Sequence, residues 1–106
     1  MAFTGDEDQT IKLSEAVKFT QKYRDSAKEG GFLGGYFSRD SILKILDQED
    51  CVGIRIYNGI DGSDKNTYVV VGVTPDEKDM IDGELAEFAI GCPPRCPGDS
   101  PLAGTD

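Results

Sequence analysis

The chain has 106 residues, of which 38% are hydrophobic, so it is long enough for one small domain with a thin core. Its formal net charge of −9 argues against a duplex-binding surface and against adsorption to anionic lipid. The chain contains no histidine, which excludes Ser-His-Asp and Cys-His catalysis. We therefore expect a protein that is not an enzyme and has no cofactor.

The first nine residues form an acidic segment, which we predict to be a flexible leader. They lack the basic and apolar regions of a signal peptide. No stretch of the sequence approaches transmembrane length. The default expectation is a cytoplasmic protein, with leaderless export left open.

A first helix is predicted from Leu13 onward. Ala16, Phe19, Tyr23 and Ala27 recur at helical spacing and would form its buried row. Ser14 is the expected N-cap, and the helix should end at the glycine pair of residues 30–31.

A second, shorter helix is predicted after Ser38, which is a suitable N-cap. Its buried face would comprise four residues: Ile42, Leu43, Ile45 and Leu46. The stretch 47–50, in which Asp47, Glu49 and Asp50 are acidic, should end it, because negative charge opposes the negative end of the helix dipole.

Two strands are predicted next, over residues 51–57 and 66–73. The first alternates: Val52, Ile54 and Ile56 share one face, and Cys51, Gly53, Arg55 and Tyr57 share the other. The second is β-branched on both faces, as expected for a central strand. The turn-rich residues 58–65 should join the two strands as a hairpin.

The remaining residues complete the predicted fold. Residues 84–90 are expected to form a short helical turn, and residues 92–106 a Cys/Pro-rich tail. The fold class is therefore α+β, with two N-terminal helices packed on an antiparallel β-hairpin, a helical turn and an extended tail. The predicted divisions are a leader (1–9), a single domain (10–91) and the tail (92–106).

The three cysteines are the main candidates for site chemistry. Cys92 and Cys96 flank two prolines, and Cys51 begins the first strand. A disulfide between any two of them is possible chemically, and so is a weak three-thiolate metal site. Free thiols and intermolecular crosslinks are further alternatives, and Cys51 alone fits a small buried apolar residue.

Five residues are candidates for an interface. Arg55 and Tyr57 have the chemistry of interface anchors if their strand face is exposed, whereas a covered Arg55 would need a carboxylate partner. The other three candidates are Tyr68, Pro93 and Pro94.

Two acidic stretches have oxygen-bearing side chains that a cation could use. Residues 61–66 place oxygen ligands at alternate positions but lack the glycine and distal Glu of an EF-hand, so a turn is the better interpretation. The acidic residues within 76–84 are expected to form a solvated face, and whether either stretch binds a cation stays open.

Several phrases of the sequence resemble a family of short, functionally uncharacterised bacterial proteins with a C-P-P-x-C-P tail. The phrases lie at residues 15–16, 20–24, 37–39, 51–59, 69–73, 92–97 and 100–102. The resemblance implies a one-domain protein whose tail cysteines belong to the module, and it implies no activity.

The functional hypothesis is a non-enzymatic interaction or assembly module. We expect it to self-associate into a homo-oligomer or filament through a strand edge and the tail, because the second strand needs cover on both faces. The alternative is a small thiol-based redox or metal-binding protein using Cys92 and Cys96, with or without Cys51. No nucleic acid, membrane insertion or small-molecule substrate is expected.

Overall fold

The computed structural model describes residues 2–27, 31–87 and 90–105. Over these residues the chain forms two helices and five strands. In chain order they are α1 (Leu13–Ser26), β1 (Gly34–Tyr36), α2 (Arg39–Leu46), β2 (Gly53–Ile60), β3 (Asn66–Val73), β4 (Leu85–Glu87) and β5 (Ile90–Cys92). One sheet has the order β2-β3-β4, and the other consists of β1 and β5.

The chain contains helices and strands, but the predicted arrangement of two helices on a hairpin is wrong. The two hairpin strands belong to a sheet that also contains a third strand, β4. Of the two helices, only α2 lies in the same compact unit as this sheet. That sheet unit comprises the described residues within 1–7 and 35–89. The helix–tail unit comprises those within 8–34 and 90–106. These boundaries do not coincide with those of the predicted leader, domain and tail.

The predicted hairpin forms in the sheet unit, but its first strand starts at Gly53 rather than Cys51 and continues to Ile60, into the residues predicted as the turn. β2 and β3 pair antiparallel, from Gly53 opposite Val73 to Ile60 opposite Asn66. β3 is the central strand, because β4 pairs with its other edge.

The predicted helical turn over residues 84–90 is wrong where the structure describes it. Residues 85–87 and 90–92 are strands, and Phe88 and Ala89 lie outside the described residues. The physical reason is β3, whose second edge offers backbone partners that a short helical turn would leave unpaired.

The core of the sheet unit lies on β3 and α2. Its four buried apolar residues, each at most 3% exposed, are Ile45, Val70, Val71 and Val73. The Ser38 hydroxyl accepts from the amide of Ser41 at 3.1 Å, so the predicted N-cap of α2 is confirmed. Since β3 is buried within one chain, its two apolar faces no longer require a second copy to cover them.

In the helix–tail unit, α1 differs from its prediction at its start and along its face. It begins at Leu13 after Lys12, and no side chain caps it, so the Ser14 cap is wrong. It ends at Ser26, with Ala27 already extended, so it stops before the predicted glycine pair, of which Gly30 lies outside the described residues. Phe19 and Tyr23 are more than half exposed, which overturns the predicted buried row.

The half-buried face of α1 instead comprises Ala16, Val17, Thr20 and Arg24, and continues to Ala27 just after the helix. Arg24 explains this orientation, because its Nη1 donates to the carbonyl of Leu102 at 2.7 Å. The long arginine stem and its planar head therefore bring the residues around Leu102 against the helix.

The tail is not extended, contrary to the prediction. The amide of Arg95 donates to the carbonyl of Gly91 at 2.9 Å, closing one turn. The amide of Thr105 donates to the carbonyl of Ser100 at 3.0 Å, closing a second. Prolines stop helices, but they favour turns as readily as extended chain.

Candidate functional site

The outer edge of β2 has no neighbouring strand within the described residues, so its backbone groups are left without strand partners. The amide of Asp61 donates to the carbonyl of Lys65 at 2.8 Å, which sets the hydrogen-bond phase of the β2–β3 pair. With that phase, the odd-numbered residues of β2 direct N–H and C=O toward β3. The even-numbered residues direct theirs outward, and within the described residues no strand lies on that side.

A second hydrogen bond confirms this phase from the other side of β3. Gly72, which lies opposite Ile54, accepts from the amide of Met80 at 2.9 Å. Its carbonyl therefore points away from β2, as the even-numbered residues of β3 must. The outward-facing residues of β2 are Ile54, Ile56, Asn58 and Ile60.

The side chains along this edge are apolar and exposed. Ile54 is 38% exposed, Ile56 54% and Ile60 72%. Exposed edge strands are usually protected by lysine, proline or very short length. β2 has eight residues, no lysine and no proline, and its only charge is Arg55. The edge is thus suited to pairing with another strand.

The other face of β2 carries a small polar cluster. Asp79 accepts a 2.5 Å hydrogen bond from Arg55 Nη1 and another of 2.5 Å from the Tyr57 hydroxyl. The Arg55 and Asp79 side chains are 34% and 22% exposed. Arg55 therefore has the carboxylate partner that a partly covered arginine requires.

The protonation of this cluster follows from its hydrogen bonds. The Tyr57 hydroxyl, and then Arg55, lower the pKa of Asp79 below its ordinary value of 3.8, against an opposing effect of desolvation. Asp79 in turn raises the pKa of Arg55. The cluster is therefore an ion pair near neutral pH, and neither group is poised for proton transfer.

Cys51 does not share the face of Arg55 and Tyr57, contrary to the prediction. The amide of Val52 donates to the carbonyl of Val73, which also lies opposite Gly53. Val52 and Gly53 thus form a β-bulge opposite Val73, and the alternation of side-chain faces is interrupted there. A Cβ placed on Gly72 would lie 2.9 Å from the Cys51 sulfur, which puts that sulfur on the Ile54 face. Cys51 is half-buried rather than buried.

The five candidate interface residues are divided between the units: Arg55, Tyr57 and Tyr68 belong to the sheet unit, and Pro93 and Pro94 to the helix–tail unit. Tyr68 is half-buried and lies opposite Asn58, on the Ile54 face. Pro93 and Pro94 are exposed, follow cis peptide bonds and belong to the helix–tail unit.

The cysteine connectivity is Cys92 to Cys96, with a Cα–Cα distance of 4.7 Å. Cys51 is a free thiol whose sulfur donates to the carbonyl of Gly53 at 3.2 Å. Across the parts of the chain that the structure describes, no group of three or more cysteine or acidic side chains is arranged to hold a metal ion. The three cysteines are thus one disulfide and one separate thiol.

Asp61 serves the hairpin turn, as predicted from turn chemistry. Its carboxylate accepts from the amides of Ser63 at 2.8 Å and Lys65 at 3.0 Å. Hydrogen bonds from Lys65 first, and then Ser63, lower the pKa of Asp61. The carboxylate is therefore engaged by backbone.

Asp79 is the residue that sequence reasoning missed, because it was counted with the solvated acidic run. A usable signal existed: Arg55 on a partly covered strand face needs a carboxylate, and Asp79 lies in the loop after β3. Nothing in the sequence distinguished it from Asp76 or Asp82.

No protein-family model, curated protein or solved structure matches the chain. The resemblance to short bacterial proteins with a C-P-P-x-C-P tail therefore stays a prediction. Neither helix is long and apolar enough to cross a membrane, within the residues that are described.

Proposed function

We propose that the protein is a non-enzymatic assembly module that self-associates through the outer edge of β2. The observation that carries this proposal is the run of outward-facing backbone groups at Ile54, Ile56, Asn58 and Ile60, flanked by exposed isoleucine side chains. Strand addition uses both features, since backbone hydrogen bonds supply affinity and alternate side chains supply specificity.

The magnitudes favour weak, concentration-dependent association. Each backbone hydrogen bond exchanged from water contributes roughly 0.5–1.5 kcal/mol net. Burial of isoleucine surface adds about 25 cal/mol per Å². These gains oppose an association cost of roughly 4–15 kcal/mol, so we expect an equilibrium between free and associated chains at accessible concentrations.

Salt should strengthen this association. Each chain carries a net charge of −9, so two copies repel each other, while the β2 edge itself has one charge. Added salt screens the repulsion and leaves backbone pairing and apolar burial in place. We expect the associated fraction to rise between low and physiological ionic strength.

Light scattering on the full chain over a range of concentrations tests the proposal. Asn58→Pro removes one outward amide without removing a bond to β3, so it should fold and stay monomeric. Asn58→Ala is the matched control, because it keeps that amide and should associate like the parent. A parent protein that stays monomeric at high concentration would refute self-association.

The tail is the second contact in this proposal. Pro93 and Pro94 are exposed in a loop closed by the Cys92–Cys96 disulfide, which makes the loop a rigid element for docking. If it contributes, Pro93→Ala combined with Pro94→Ala should lower the associated fraction. An unchanged fraction would restrict association to the β2 edge.

A redox function is our second candidate, and the observed Cys92–Cys96 disulfide favours it. A dithiol donor would supply two electrons and two protons, breaking the S–S bond to give two thiols while the donor becomes a disulfide. Thiol titration across a series of glutathione redox buffers tests this. Two thiols should appear within the physiological range, and a disulfide that persists throughout would rule the function out.

A further inference from the structure

We infer that the partner on the outer edge of β2 is β2 of a second copy, paired antiparallel about a two-fold axis at Tyr57. This inference rests on the proposed function, because it names the partner and the register for the same edge. Three properties of β2 carry it: its hydrogen-bond phase, its length and the order of its side chains.

The hydrogen-bond phase restricts the possible registers. In a continuous antiparallel sheet, residues that lie opposite each other share a face, so a two-fold axis normal to the sheet must pass through a residue. β2 spans Gly53–Ile60, and its midpoint lies between Ile56 and Tyr57. Axes at these two residues therefore give the longest paired segments.

An axis at Tyr57 gives three of the four exposed apolar side chains of the strand an apolar or aromatic partner, and places the fourth, Ile56, opposite the partner's Asn58. Ile54 then lies opposite the partner's Ile60, and Tyr57 opposite the partner's Tyr57. Both pairs join side chains that are exposed in the single chain. Cross-strand pairs of apolar and aromatic residues are the main source of sheet stabilisation beyond the backbone.

The same register also suits the one charged residue. Arg55 lies opposite the partner's Gly59, which has no side chain, so its ion pair with Asp79 stays intact. An axis at Arg55 would instead place two guanidinium groups opposite each other, which is unfavourable.

An axis at Ile56 is less favourable for the charged residue and for the apolar pairs at the strand end. It places Arg55 opposite the partner's Tyr57, although both already bind Asp79 within their own chain. It also leaves Ile60, the most exposed apolar residue of the strand at 72%, without a partner in β2 of the second copy.

The consequence is a closed dimer. Self-pairing uses the outer edge of β2 once in each chain, so a third copy finds no free β2 edge. The two three-stranded sheets join into one sheet with the order β4-β3-β2-β2-β3-β4. Among homo-oligomers, this register favours a dimer over a filament.

Interchain crosslinking tests the register in the full chain. The background carries Cys51→Ser, which removes the free thiol, and keeps the Cys92–Cys96 disulfide. Tyr57→Cys should form a crosslinked dimer on mild oxidation, since directly opposite residues approach within disulfide range. Ile56→Cys alone should form about tenfold less, because in this register the two copies of residue 56 are diagonal neighbours.

A second measurement leaves Tyr57 in place. Mixing Ile56→Cys with Asn58→Cys should give the mixed dimer, because these two residues lie opposite each other. Crosslinking of Ile56→Cys with itself, and not of Tyr57→Cys or the mixed pair, would overturn the Tyr57 axis while self-association stands. A dimer by light scattering without any of these crosslinks would also overturn it, and a monomer would refute the proposed function as well.

Discussion

The sheet unit and the helix–tail unit are stabilised in different ways. All the residues that are buried among those described belong to the sheet unit, on α2 and β3. The helix–tail unit has no buried residue in its described part, and it relies on a short disulfide loop, turns and the contact of Arg24 with Leu102. Burial therefore stabilises one unit, while covalent and polar links stabilise the other.

The largest expected effect is on the core of the sheet unit. Ile45→Ala should lower the free energy of unfolding by about 3 kcal/mol, because Ile45 is 1% exposed and the substitution leaves a cavity. Urea unfolding followed by circular dichroism measures this. Ile60→Ala is the control, since Ile60 is exposed in the single chain, and it should change monomer stability little. Equal losses in the two variants would contradict the assignment of the core.

Removing the disulfide should loosen the helix–tail unit and leave the sheet unchanged. Cys92→Ser combined with Cys96→Ser opens a short loop, which costs roughly 2 kcal/mol by chain entropy. Amide hydrogen exchange should accelerate at Arg95 and Thr105, while β3 keeps its protection. Cys51→Ser is the control and should leave exchange at the Arg95 and Thr105 amides unchanged. Faster exchange confined to β3 would refute the division between the units.

Gly104 offers a smaller test of the same unit. Its φ is +75°, and an added Cβ would lie 2.7 Å from Arg24 Nε. Gly104→Ala should therefore cost about 1 kcal/mol of local stability and speed exchange at Thr105. Gly98→Ala is the matched control, because nothing lies within 4 Å of its added Cβ. Similar exchange in both variants would contradict the docking at Arg24.

The smallest effect concerns acid stability of the sheet unit. Asp79 has a lowered pKa, owing first to Tyr57, so its contribution is complete above its ordinary pKa of 3.8 and is lost as pH falls through the folded value. Asp79→Asn should remove this acid-dependent loss, as measured by thermal unfolding between pH 2 and 6. Asp82→Asn removes an exposed carboxylate and should retain the parent's pH dependence. An unchanged profile in Asp79→Asn would contradict the cluster.

The parts of the fold that local patterns specify were predicted from sequence. Ser38 at the start of α2 and the alternation after Gly53 depend on neighbouring residues, and both were predicted. β4 was not, because residues 85–87 are too few for a periodic pattern, and their strand conformation comes from pairing with Val69 to Val71. Phe19 and Tyr23 misled the helix prediction, since the tail contact at Arg24 sets the orientation of α1.

The candidate site was predicted in part. A strand edge was expected to mediate association, but the reason offered, an uncovered second strand, is wrong. β3 is buried on both faces within the chain, since Val70 on one face is 0% exposed and Val71 and Val73 on the other are each 3% exposed. The open edge belongs to β2. Its identification needed the hydrogen-bond phase at Asp61, which is a property of tertiary pairing.

Amide hydrogen exchange of β2 as a function of protein concentration tests the central proposal most directly. At low concentration Arg55 and Tyr57 should be protected by β3, while Ile54, Ile56 and Asn58 exchange rapidly. Raising the concentration should slow exchange at these even-numbered amides and leave the odd-numbered ones unchanged. Rapid exchange at Ile54, Ile56 and Asn58 at every concentration would contradict association through this edge.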